Sequence, residues 1–527
     1  MIDGDTQTFA LTLDKFLEHA AKWHPRAEVV TARDGGRVDR IGYASLLKRS
    51  RRVSAVLSGL GVQAGDRVGT LAWNTQAHVE TWYAVMGMGA VCLTLNPRLT
   101  AVQLAAMAAK AQTRVLIVSA DLAPLAAQIA DIAPTVERLL VIDGELGKGD
   151  FAPSVEALEP LLAAANDKDV VWGDFAETAP SGLCFTSGTT GAPKGVTYTH
   201  RSSYLHTLRL LQADVMAITA RDTVLTVVPM FHANAWGLPF AVPAVGAKLV
   251  LQGRHNDGPS LAALINAENA TIAVGIATVW LGLVEHVEAS GIELPSLKRI
   301  VVGGAPLPPA LMERIERSLG VTVQTSWGMT ELSPSGTFAP PDDPARSAAV
   351  SGRPAIGVDL LITDAEGTAL PEQRNVEGHL RVRGAAVAER YFGETESATD
   401  GEGWFATGDL AKIDTEGNLI ITGRAKDLIK SGGEWINPAE IEAVVSALPE
   451  VTLAAVIGRQ HPKWGERPIL LVQTRDHGMI SDEALLAPLR DSVAPWWIPD
   501  AIIRIPQMPL APTGKIDKIR LRVEYGG

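Results

Sequence analysis

The sequence has little cysteine, no excess of basic residues and no long apolar run. Only Cys92 and Cys184 occur in 527 residues, both in apolar surroundings. That excludes a disulfide framework and reads as two small core hydrophobes, for which a reducing cytoplasm is the natural setting. The formal net charge is −12, opposite to the basic stripe that general nucleic-acid binding needs. No stretch of about 18 uninterrupted apolar residues occurs, so no membrane span is expected. The opening run, MIDGDTQTFALTLDKF, has acids where a secretory signal would have bases. No short-period repeat and no low-complexity tract is present.

What is there fits a soluble globular protein: 46% hydrophobic and 20% charged residues. A chain of 527 residues exceeds one ordinary core, so two or more domains are expected. An anionic ligand on so acidic a protein needs local positive charge, and Lys194, Arg424 and Lys515 are candidates to supply it.

The most informative run is TSGTTGAPKG, residues 186–195. Gly188, Gly191 and Gly195 let backbone approach a ligand closely. Thr186, Ser187, Thr189 and Thr190 supply hydroxyls, the intervening amides can form an anion-binding nest, and Lys194 adds charge. It is not a Walker A loop, since Pro193 precedes the lysine and Gly195 follows it. Such composition also suits a flexible linker. Against that, apolar Leu183–Phe185 precede the run as a strand and VTYTHRSSYLHTL follows as a helix.

Leu13, Phe16, Leu17, Ala20 and Ala21 share one face of a helix over 13–22. From 65 to about 345, β-rich runs at 67–73, 113–119, 138–143, 223–230, 247–252, 271–277 and 299–304 alternate with helical stretches. This pattern points to mainly parallel sheets covered by helices. Residues 350–425 change texture to strands joined by Glu-Gly turns. Near 426 the texture changes again. Asn437-Pro438-Ala439-Glu440 reads as a helix start, and strand-like TLAAVIG, ILLVQTR and AIIRI flank a helix from Ser481. The expected fold is therefore α/β, with a large N-terminal domain (1–425, β-rich from about 350) and a small α+β C-terminal domain (426–527).

Five further runs follow the first in order: VVGGAPLPP (301–309), SWGMTEL (326–332), GWFATGD (403–409), GRAKDLIKSGGEWINPAEIE (423–442) and PTGKIDK (512–518). Together they resemble the acyl-adenylate-forming superfamily, which comprises acyl-CoA synthetases, luciferases and peptide-synthetase adenylation domains. The resemblance extends from about residue 10 to 524. It implies ATP, Mg²⁺ and coenzyme A as partners of a carboxylic acid, and a C-terminal domain that swings about Lys426 between two half-reactions. Residues 186–191 and Lys194 would hold the phosphates, with Thr186 and Glu331 binding Mg²⁺. Gly304, Ala305 and Pro306 would wall the adenine, and Trp327, Gly328, Met329 and Thr330 would close around adenine and the α-phosphate. Asp409 would take the ribose hydroxyls and Arg424 ribose or phosphate. Lys515 would bridge carboxylate and α-phosphate oxygens.

The run PMFHANAWGLPF (229–240) matches the segment lining the family's acyl pocket. His232 would stand near the carboxylate and Trp236 would limit depth, the two sharing a helical face. Ala277, Gly303, Gly304, Ser333, Pro334 and Ser335 would complete the wall, which favours a short or medium acid. No aspartate lies between Pro229 and Pro239 to hold a substrate ammonium, and the chain ends at Gly527 without a carrier domain. Both points argue against a peptide-synthetase module. Coenzyme A would enter past Ser431, Gly432, Gly433, Glu434 and Trp435. The look is nearest to medium-chain fatty-acid and methylthiopropionate CoA ligases. An aryl-acid (cinnamate- or ferulate-type) ligase shares these motifs, and a non-catalytic nucleotide-binding homologue is the alternative from another class. A homodimer is compatible with either.

Overall fold

The computed structural model describes residues 5–145, 154–186, 193–475 and 480–527. Two large sheets build the N-terminal domain. In one, the strands Arg67–Leu71, Val91–Thr94, Val115–Ser119, Arg138–Ile142, Ser154–Ala157 and Pro180–Phe185 run parallel, and Gly195–Thr199 closes an edge antiparallel. In the other, Glu28–Ala32, Lys248–Leu251, Thr223–Thr226, Ile272–Gly275, Arg299–Val302 and Thr322–Gly328 are parallel, with antiparallel strands at both edges. The runs expected as strands all carry one. They are apolar almost throughout because helices cover both faces of each sheet.

Helix Asp14–Trp23 buries Phe16, Leu17 and Ala20, with Leu13 just before it also buried, and Phe16 stacks on Tyr204 at 4.4 Å. Gly275 ends its strand where a Cβ would stand 2.6 Å from the Trp280 ring, so only glycine lets that indole lie over the strand end.

A four-stranded antiparallel sheet, Val358–Thr363, Gly378–Gly384, Phe405–Ile413 and Leu419–Arg424, forms the β-rich part. A separate C-terminal domain is built on five strands, with Gly465–Thr474 paired to Val451–His461 on one side and to Ala501–Arg504 on the other. Two expected helix starts are in place. Asn437 accepts from the Ala439 N–H (3.2 Å) and Ser481 from the Ala484 N–H (3.2 Å). Glu440 does not close a capping box; its carboxylate accepts from the Asn437 side-chain amide (3.2 Å), which also donates to the Thr422 carbonyl (2.8 Å). Among the described residues no helix is long and apolar enough to cross a membrane.

Candidate active site

The parallel strands of both large sheets end at one cleft, the usual place for ligands in open α/β sheets. At its upper wall the pairing of Phe185 with Gly195 closes a hairpin, and the Thr186 N–H and hydroxyl both donate to the Lys194 carbonyl (2.9 and 3.3 Å). The two ends of the glycine-rich loop are thus pinned together. Ser187, Gly188, Thr189, Thr190 and Gly191 lie outside the described residues. The run after the loop differs from the expected helix: Gly195–Thr199 is a strand first, and the helix begins at His200. β-Branched and aromatic side chains favour the strand, and the Thr199 hydroxyl accepts from the Ser202 N–H (3.0 Å) to start the helix.

Lys194 places its ammonium 4.7 Å over the Tyr391 ring, and the Tyr391 hydroxyl donates to Glu331 Oε1 (2.9 Å). Burial and the Glu331 charge hold the Tyr391 hydroxyl protonated. Glu331 is 7% exposed in the short turn Thr330–Leu332, and no cation pairs with it among the described residues. The Thr330 carbonyl accepts from the Tyr198 hydroxyl (2.8 Å), and the Met329 N–H donates to the Pro334 carbonyl (2.9 Å). A Cβ on Gly328 would stand 2.3 Å from the Pro334 carbonyl oxygen, so glycine is needed for that loop to close. Tyr391 was missed from the sequence: with Phe392 it forms a short aromatic pair in a polar stretch, tied to the strand after the loop by a bridge between Val196 and itself.

Below this lies a second cluster. Asp409, 2% exposed, accepts from the Trp327 indole N–H (2.9 Å) and pairs with Arg424 (2.6 Å), its cross-strand neighbour. Burial pushes the Asp409 carboxyl above the usual range, with Arg424, the indole N–H, Lys515 and Lys426 opposing. Each carboxylate oxygen has one donor, which leaves it a second acceptor position. Ala305 and Pro306 follow Gly304 in the turn after the strand Arg299–Val302, Ala305 half-buried and Pro306 exposed.

On the acyl side the structure corrects one expectation. Ala233–Gly237 is a left-handed turn, with φ between 45° and 77° at every residue, so His232 and Trp236 share no right-handed helical face. Apolar anchoring overrides the local cost here, for Ala233 and Ala235 are buried and Asn234, also buried, accepts from the Cys184 thiol (3.3 Å). The Trp236 indole nevertheless reaches the expected wall. A Cβ on Gly303 would lie 3.0 Å from its ring, and one on Gly304 3.9 Å from it. Ser335, 6% exposed, donates its N–H to His206 (3.2 Å) and accepts from Arg209 at its carbonyl (2.9 Å). Ala277 opens the helix Ala277–Ser290 at the same strand ends. His232 is neutral at pH 7, because burial and the nearby Lys515 lower its imidazolium to about 4.

Lys515 enters from the C-terminal domain. A Cβ on Gly304 would stand 3.9 Å from both Lys515 Cε and the Trp236 ring, so the lysine, the indole and the Gly304 turn meet at one point. Its surface stays open to water, yet the crowded cleft lowers its ammonium to about 8, with Arg424 and Lys426 acting the same way and Asp409 and Glu331 opposing. Lys426 lies in the turn Ala425–Asp427, where the adjoining Asp427 pairs with Arg522 of the last helix (2.7 Å).

The residues expected at the coenzyme A entrance form a hairpin of the C-terminal domain. Ile429–Ser431 and Glu434–Ile436 form a hairpin whose two turn residues, Gly432 and Gly433, have φ of 60° and 97°, as a tight hairpin turn demands. Its contacts lie within its own domain. The Ser431 hydroxyl accepts from Arg467 (3.2 Å), the Gly432 N–H donates to the Trp464 carbonyl (2.8 Å), and Glu434 and Trp435 line a groove with Trp496 and Trp497.

Residues 17–392 match the family of AMP-binding enzymes, and residues 440–515 match the C-terminal domain of those enzymes. The chain is 40% identical to the medium-chain-fatty-acid–CoA ligase of Ectopseudomonas oleovorans, over 99% of this chain and 97% of that one. It is also 40% identical to the 3-methylmercaptopropionyl-CoA ligase of Ruegeria lacuscaerulensis, over 99% and 98%. Among solved structures, ATP-bound MatB from Rhodopseudomonas palustris superposes with a TM-score of 0.86 at 26% identity, covering 98% of this chain and 99% of that one.

Proposed function

The chain belongs to the AMP-binding enzyme family, and on that premise we propose that it is an AMP-forming ligase that joins a short- or medium-chain carboxylic acid to coenzyme A. The observation that carries the reading is the position of Lys515, beside Gly304 and Trp236 and within electrostatic reach of Asp409. A carboxylate oxygen attacks the α-phosphorus of ATP and pyrophosphate leaves. A thiol sulfur then attacks the acyl carbon and AMP leaves. The first step asks the protein mainly for position and charge.

Lys515 meets the charge that concentrates between carboxylate and α-phosphate, Asp409 and Trp327 fix the nucleoside, and Arg424 adds positive potential. Neutral His232 adds no charge to compete with Lys515 for the carboxylate. Buried Glu331, which accepts from the Tyr391 hydroxyl and pairs with no cation among the described residues, and the Thr186 hydroxyl suit Mg²⁺, a hard ion that takes one or two protein oxygens and completes its shell from phosphates and water. That ion neutralises phosphate charge when bound. The Trp236 indole against Gly303 shortens the acyl pocket and favours a short or medium chain. Two buried free thiols are consistent with a cytoplasmic setting.

AMP release from ATP and Mg²⁺ tests this, measured with acids from acetate to palmitate plus methylthiopropionate and ferulate, with and without coenzyme A. A maximum at a short or medium acid that depends on coenzyme A is expected. A maximum at ferulate would replace the aliphatic reading with an aryl one. ATP binding without turnover on any acid would favour a non-catalytic homologue.

A further inference from the structure

The lysine that completes the cleft is held by a small turn. Residues 510–516 close on themselves: the Ala511 N–H donates to the Lys515 carbonyl (2.7 Å), and the Gly514 N–H donates to the Ala511 carbonyl (2.8 Å). The carbonyls of Pro512 and Gly514 are left facing the N-terminal domain, and two donors there receive them. Arg98 Nη1 donates to the Pro512 carbonyl (3.1 Å), and the Thr278 hydroxyl reaches the Gly514 carbonyl (3.5 Å). Gly514 has φ of 82°, and a Cβ there would stand 2.3 Å from Ile276, so the turn is seated as closely as glycine permits.

Arg98 is placed for this task by its own segment. Its N–H donates to the Asn96 side chain (3.0 Å), and its guanidinium lies 5.8 Å over the Phe231 ring, next to His232. No carboxylate pairs with it among the described residues, whereas Arg254, which lines the same cleft, pairs with Asp34 and Asp121. Thr513 and Arg98 together line a narrow cleft with Phe231 and Ile276. Among the described residues, the guanidinium gives its hydrogen bond to a carbonyl of the other domain.

We propose that Arg98 is a positioning residue for the first half-reaction: its guanidinium grips the Pro512 carbonyl and so holds the Lys515 turn against the N-terminal domain while the acyl-adenylate forms. The inference rests on the ligase reading above. The contact is made in this pose of the C-terminal domain and is lost when the turn withdraws, so Arg98 contributes to one half-reaction and not to the other.

Full-length Arg98→Ala and Arg98→Lys test it through two assays. One is acid-dependent pyrophosphate release without coenzyme A. The other is thioester formation from supplied acyl-adenylate and coenzyme A. For Arg98→Ala the first should fall roughly tenfold in kcat, as befits one charged hydrogen bond on an accessible surface, with KM for the acid within about twofold. The second should stay within about twofold of wild type or rise. Arg98→Lys, which keeps a donor and folds more safely, should lie between. An unchanged first half-reaction in both variants, or an equal fall in both half-reactions, would overturn the proposal. Wild-type protein that released no pyrophosphate with any acid would instead overturn the ligase reading, and this inference with it.

Discussion

The C-terminal domain presents two edges with very different surroundings. The Pro512–Lys515 turn is seated in the N-terminal domain, with Arg98 and Thr278 on its carbonyls and Lys515 in the cleft. The Ser431–Trp435 hairpin spends its contacts inside its own domain, on Arg467, Trp464 and a groove beside Trp496. Under the proposed function these edges serve successive steps, and a rigid domain cannot present both to one cleft. On that reading the pose seen here would be the one for making the acyl-adenylate, and the thiol step would need a rotation about the turn that contains Lys426. Polar contacts across the boundary include Arg98 with Pro512, Thr278 with Gly514 and Asn437 with Thr422, each worth about 0.5–3 kcal/mol.

Breaking the docked edge should have the largest effect. Lys515→Ala should slow acyl-adenylate formation by about 10²–10³, the usual loss for one preorganised donor. Thioester formation from supplied acyl-adenylate should be largely spared, and rapid-mixing assays of each step would show the split. Trp236→Ala sharpens the comparison by leaving both edges alone. It should raise kcat/KM for longer acids over shorter ones by about 10–100-fold, the value of roughly one methylene or a little more, with the balance between half-reactions unchanged. A chain-length profile identical to wild type would remove Trp236 from the pocket floor.

Breaking the other edge should reverse the pattern. Gly433→Val forces a β-branched residue into φ of 97°, at a cost of about 1–2 kcal/mol. The coenzyme A step should then slow roughly tenfold while pyrophosphate release without coenzyme A holds. Comparable losses in both steps would dissolve the distinction.

The smallest expected effect is a pH limb. Lys515 is charged below about 8 and loses its proton above, so kcat/KM for the first half-reaction should fall as pH rises through about 8, roughly tenfold between pH 7 and 9. His232, lowered to about 4, stays neutral through this range and should add no limb near 6.5.

Much of this was legible in the sequence, because it depends on residues close in the chain. Apolar runs between turn residues marked the parallel strands, and Asn437 and Ser481 marked helix starts. Gly303, Gly304 and Gly328 stood out as glycines, and the structure supplies the neighbouring atoms that exclude a side chain. What could not be read depends on long-range partners. The handedness of Ala233–Gly237 follows from burial of Ala233, Asn234 and Ala235 in the surrounding core. Tyr391 joins Lys194 to Glu331 across three distant segments. Arg98 meets Pro512 across 414 positions of chain, and no local pattern encodes such a pairing.

The central claim, two steps at one cleft served by two edges of one domain, is tested most directly by rapid-quench analysis of the wild-type enzyme with labelled acid, ATP and Mg²⁺. Without coenzyme A the account predicts about one enzyme-bound acyl-adenylate per active site, with matching pyrophosphate. On adding coenzyme A, that same label should pass to thioester as AMP appears. Thioester formed only when all three substrates are mixed at once, with no acyl-adenylate before it, would contradict the account.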